Sequence, residues 1–202
     1  MAREVQNRVL DLIDEALATS MDREVCPPWL RRPGRAECGD LWPTLESIYT
    51  DLTGDVLPEE MPPRERRSID AVLTNHDGVP RIVEVDETQH FTPPRARTLA
   101  LYPTTTQTAF DRDIWMTRSR ATVKLRGGGF GRPCPPLFPA PGGRHLQRAY
   151  RDAVADLLPR QHGWAPTLRI GDFEVAAWLH EGDALHRMRV LLHDKGVISA
   201  SD

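Results

Sequence analysis

Apolar positions follow a helical period near both ends of this chain and a strand period in its middle. Val5, Val9, Leu12, Ile13 and Leu17 fall on one stripe and predict an amphipathic helix over residues 3–18. Leu41, Leu45, Ile48, Tyr49 and Leu52 predict a second over 41–53, closed by Gly54. Leu146, Ala149, Tyr150, Ala153, Val154 and Leu157 predict a third over 144–158, with Arg144, Arg148 and Arg151 on another face. Shorter helices are expected over 93–102, opened by proline, over 106–120 with Phe110, Ile114 and Trp115 inward, and over 183–193.

Between these lie two runs of period two. In residues 67–73, Ile69, Ala71 and Leu73 alternate with Ser68 and Asp70; in 81–91, Val83 and Val85 alternate with Glu84 and Asp86. Asn75-His76-Asp77-Gly78 separates them, and its Asp-Gly pair is a hairpin signal. Closing that hairpin brings Asp70 opposite Glu84 to Asp86 within one residue of register. A last strand is expected over 167–179, and residues 55–66, with three prolines, should be irregular apart from a short strand at Val56-Leu57 at most. The pattern predicts one α/β (α+β-like) domain over 1–202. An N-terminal helix and proline-rich loop occupy 1–40; the core, 41–202, carries a Gly/Pro loop over 125–143.

Three carboxylates on one face of a strand pair repel one another and raise one another's pKa. A hard divalent cation removes that cost, and Mg2+ is held by a few carboxylates, waters and a substrate phosphate. The competing reading is an acidic, solvated strand face. Gln89 and His90 favour the metal site, because they prolong the polar run where a solvated strand should have ended.

Ile69-Asp70-Ala71-Val72-Leu73 followed by Glu84-Val85-Asp86-x-x-x-His90 resembles the PD-(D/E)xK nuclease superfamily, and within it the very-short-patch-repair type of endonuclease. The resemblance implies a restriction-endonuclease-like core, a central mixed sheet flanked by helices. It implies a metal-dependent endonuclease that hydrolyses DNA phosphodiester bonds, in repair or restriction-type defence. Asp70, Glu84 and Asp86 would then hold Mg2+ (or Mn2+), His90 would transfer a proton and Gln89 would orient the site. Arg67, Arg95, Arg97, Arg144, Gln147, Arg148 and Arg151 are the candidate DNA contacts, and Glu37 or Glu46 a candidate auxiliary ligand. Asp86 stands where the superfamily carries a catalytic Lys, Ile69 replaces the Pro before Asp70, and the strand usually preceding Asp70 lacks a clear signal. The missing Lys sustains a second reading: a catalytically inactive nuclease-like module that binds nucleic acid or a protein partner.

Composition narrows the field without choosing between these readings. The 202 residues carry a net charge of −3, yet residues 112–151 hold nine Lys or Arg against the single acid Asp113. Cys26, Cys38 and Cys134 are too widely spaced for a zinc motif or a disulfide framework. No apolar run has membrane-span length and no leader pattern opens the chain, which predicts a cytoplasmic protein without a membrane partner. Neither a G-x-S-x-G elbow nor an H-E-x-x-H pair is present to suggest other hydrolase chemistry, and oligomeric state is not encoded in any pattern here.

Overall fold

The computed structural model describes residues 2–63, 67–74, 77–125 and 127–198. Among them the chain forms a mixed four-stranded sheet flanked by helices. Helices α1 (Ala2–Leu17), α2 (Pro28–Arg31), α3 (Arg35–Cys38) and α4 (Trp42–Thr53) share the N-terminal third with the two-residue strand β1 (Asp22–Arg23). Strands β2 (Ala71–Thr74) and β3 (Pro80–Asp86) follow, then α5 (Pro93–Ala100), α6 (Arg112–Ala121) and α7 (Gly143–Leu157), then β4 (Ala165–Gly171), α8 (Asp172–Val175) and α9 (Ala184–Asp194). The strands pair in sequence order, β1–β2 and β2–β3 antiparallel, β3–β4 parallel. A parallel neighbour cannot be reached by a tight turn, so α5, α6 and α7 form the crossover that returns the chain to the sheet.

The hairpin register is Ala71 to Val83 and Val72 to Ile82. Gly78 takes φ +74°, the left-handed conformation an Asp-Gly turn needs, whereas Asn75 and His76 lie outside the described residues. The pair is no solvated ribbon, however. With β4 on its other side, β3 is an interior strand, and every residue from Arg81 to Asp86 is buried. Its odd-numbered side chains, Val83 and Val85, join Ala71 and Leu73 in a core completed by Val9 and Ile13 of α1 and Met188 and Leu192 of α9. Ile82, on the even-numbered side, joins the second core, built by Leu45 and Ile48 of α4 and Ala153 and Val154 of α7.

Element boundaries depart from the sequence pattern where polar side chains bind backbone. The predicted strand 67–73 starts at Ala71, and 81–91 ends at Asp86, after which Glu87 to His90 form a turn. The predicted helix 106–120 starts at Arg112, because Asp111 Oδ1 accepts the Asp113 and Ile114 N–H groups at 2.9 and 3.0 Å. Trp115 of that helix is fully buried, but Ile114, expected beside it, is 44% exposed. The predicted strand 167–179 stops at Gly171, whose N–H donates to Glu174 Oε2 at 2.8 Å, and α8 begins there. Val56 is exposed and in no strand; the extra strand of the sheet is β1, too short to show an alternating pattern. Residues 64–66 and 126, within predicted loops, lie outside the described residues.

Candidate functional site

One step beyond Ala71 and Val83, the hairpin register sets Asp70 across from Glu84. Asp70 Oδ2 accepts the Val85 N–H at 2.8 Å, a side chain standing in for the strand carbonyl, which is why regular pairing of β2 starts one residue later. Glu84 is only 9% exposed, and its carboxylate has no hydrogen bond or ion pair among the described residues. Both acids line an open cleft with about 780 Å3 of empty space. Burial, with Asp70 beside it, raises Glu84 to about 8. Burial also raises Asp70 to about 6, against the opposing pull of the Val85 N–H and of His90.

Asp86 lies deeper and differs from the expectation of a third open ligand. It is fully buried, with Oδ1 2.7 Å from Arg169 Nη1 and Oδ2 accepting the Trp115 Nε1–H at 2.6 Å. Arg169, on β4 next to Glu84 in register, also donates to Asp156 at 2.7 Å and stands 3.5 Å from Asp152. Asp156 in turn binds Arg95 at 2.6 Å and the Tyr102 hydroxyl at 2.8 Å. His90 Nδ1 is 3.1 Å from Asp152 and 3.4 Å from Asp86. Burial disfavours its charged form, but the two carboxylates outweigh burial and raise it to about 9, so at neutral pH it is an imidazolium. Asp152 is driven the other way: burial opposes its ionisation, yet His90 and Arg169 hold it far below the usual carboxylate range. Three inner carboxylates (Asp86, Asp152, Asp156) are therefore matched by three cations in direct contact (Arg169, Arg95, His90). Asp70 and Glu84 stand outside this set of direct ion pairs, and both face the cleft.

Of the predicted nucleic-acid contacts, Arg67, Arg144, Arg148 and Arg151 line this cleft together with Gln89 and His90. Arg148 donates to the Gln89 carbonyl at 3.2 Å, Arg144 to Gln147 Oε1 at 2.6 Å, and Arg67 to the Arg151 carbonyl. Burial lowers Arg67 to about 10, which still leaves it charged at neutral pH. Three of the expected contacts are corrected. Arg95 is fully buried in the ion network and cannot reach a polyanion; Arg97 binds Asp51 outside the cleft; Gln147 is buried and supports Arg144 from behind. Neither candidate auxiliary acid reaches the cleft, and Glu37 instead accepts the Gly34 N–H at 2.9 Å. Residues the sequence reading passed over, Gln6 of α1, Glu87 and Asp152, do line it. Asp152 carried a usable signal: it follows Arg148 by four on the helix, so it shares that face. Gln6 carried none, since only packing of α1 on the sheet brings it there.

Neither a scan of protein-family models nor searches of curated proteins and of solved structures returned a match. Among the described residues, no group of three or more His, Cys, Asp or Glu side chains is arranged to hold a metal ion. Two carboxylates fit a narrower requirement, since Mg2+ bound through one or two carboxylates completes its shell with water and substrate phosphate. The nearly buried Glu84 carboxylate, which makes no hydrogen bond or direct ion pair among the described residues, is a group here that such an ion would satisfy. No described helix is long and apolar enough to cross a membrane.

Proposed function

We propose that the protein is a metal-dependent nuclease that hydrolyses nucleic-acid phosphodiester bonds, with a restriction-endonuclease-like core. The observation that carries this reading is charge placement. In one cleft, Asp70 and Glu84 stand with Glu87 beside four arginines, while Asp86 and Asp156 behind them are neutralised internally. A polyanion would be repelled by Asp70 and Glu84 alone and attracted by Arg67, Arg144, Arg148 and Arg151 alone; both sets are useful when a divalent cation and a phosphate bind together.

Asp70 and Glu84 would hold Mg2+ or Mn2+, which when bound supplies an acidified water and offsets charge on the phosphate. The remaining roles belong to side chains in place. Arg144, Arg148 and Arg151 recur along α7 and can follow a phosphate backbone. His90, held at Nδ1 by Asp152, keeps Nε2–H for a substrate oxygen and acts as proton donor rather than base. Gln89 is fixed by Arg148 at its carbonyl and by Glu87 at its side chain, which orients that turn.

One observation favours the second reading, a module that binds without cutting. Neither lysine lines the cleft, Lys195 being engaged with Glu174 at 2.8 Å, and Asp86 in the superfamily's Lys position is locked to Arg169. A cleavage assay on single- and double-stranded DNA with Mg2+ and Mn2+, comparing wild type with Asp70→Ala and Glu84→Ala, separates the two. Metal-dependent cutting that both substitutions abolish is the expected result. Binding without cutting under every condition would leave the module reading in its place.

A further inference from the structure

The segment between α6 and α7 is tied at both ends to elements that build the cleft. Thr122 Oγ1 donates at 2.8 Å to the carbonyl of Phe91, which follows the turn carrying Gln89 and His90. At the other end the N–H groups of Gly142 and Arg144 donate to the carbonyls of Gly131 and Arg132, both at 2.8 Å. Burial lowers Arg144, and the neighbouring charges that push it the same way include Arg148, Arg151 and Arg132. Arg132 therefore continues the positive row of α7, which runs about 10 Å from Arg151 to Arg144, past the end of the helix. Between its ties the segment presents apolar and basic side chains. Val123 is 99% exposed and Phe130 38%. Lys124 and Arg132 are exposed, and their side chains make no hydrogen bond or ion pair among the described residues. Residues 121–134 contain no acid.

Exposed apolar side chains among charges of one sign suit a polyanion that also carries flat apolar faces. An unpaired nucleic-acid strand has both, whereas a duplex hides its base faces in the stack. Resting on the nucleic-acid reading of the cleft, we propose that this segment carries an unpaired strand onward from Arg144, with Lys124 and Arg132 on its phosphates and Phe130 against a base. The cleft holds the part of the strand beside Asp70 and Glu84, and the segment sets the direction in which the rest leaves. A strand that uses both is longer than the cleft alone.

The test is binding of fluorescent oligothymidylates to the full-length protein without added metal. One strand, of about four nucleotides, occupies the cleft alone; the other, of about twelve, reaches the segment. Lys124→Ala combined with Arg132→Ala should weaken the long strand about tenfold at low salt. It should also flatten the dependence of its log K on log salt concentration by about 1.4, at roughly 0.7 for each lost phosphate contact. Phe130→Ser should weaken the long strand about tenfold without changing that slope. Neither variant should alter binding of the short strand, which also reports that the fold is intact. Unchanged binding of the long strand, or equal losses on both strands, would overturn the role of the segment and leave the cleft reading in place. A Phe130→Ser loss of the same size on the long strand paired with its complement would overturn the assignment to an unpaired strand. Binding of neither strand by the wild type would overturn both readings.

Discussion

Replacing Glu84 by Gln isolates the cost that the cleft imposes on the fold. Burial raises this carboxyl from 4.5 to about 8, so the folded chain holds a proton that the unfolded chain releases. Stability must then fall as pH rises through that window, because the unfolded state binds fewer protons than the folded one. Between pH 5 and pH 9 the displacement is worth about 4 kcal/mol for this single group. Glutamine has the shape of the protonated acid and no charge to lose, so Glu84→Gln should decline less steeply than the wild type, keeping only the loss that His90 and Asp70 contribute to both. Urea unfolding at several pH values, read by circular dichroism, measures the difference directly. Adding Mn2+ at pH 9 should restore the wild type by neutralising the pair and should do little for the variant. Parallel pH profiles would refute the burial argument, and an equal gain with Mn2+ in both proteins would remove Glu84 from the ligand set.

Asp86→Asn should cost about 3 kcal/mol in the same urea assay, since it removes one of the carboxylates that neutralise the buried Arg169 and leaves Asp156 and Asp152 to balance it together with Arg95 and His90; a loss under 1 kcal/mol would mean that this ion pair is dispensable. His90 should remain protonated above pH 8 when followed by NMR titration. Its raised pKa contributes stability that is complete below about 6.5 and is lost as pH climbs through about 9. Arg148→Ala should flatten the dependence of log K for DNA on log salt concentration by about one unit if the side chain meets a phosphate. An unchanged slope would take Arg148 out of the interface.

What could be read in advance followed from local rules. Gly54 does close α4, with φ +81° and its N–H donating to Thr50 O at 2.8 Å, because left-handed caps need a residue without Cβ. The Asp-Gly turn and period-two alternation were enough to bring Asp70 to Glu84, since a two-strand register depends only on nearby residues. The stripe of α7 told where Arg144, Arg148 and Arg151 would stand relative to one another.

The sequence by itself thus determined the helical stripes, the hairpin and the acidic residues it gathers, because each rests on contacts between residues close in the chain. Only the tertiary structure decided which acids face a cleft. The partners of Asp86 are Trp115 and Arg169, 29 and 83 residues away, and no periodicity reveals that two distant side chains will neutralise it. The same long-range packing, with β4 beside β3 and α7 across it, turned an alternating strand into a buried one and sealed Arg95 among Asp156 and Tyr102. Burial in low dielectric is a property of the assembled layers, and it is burial that sets the charge states on which the cleft's chemistry depends.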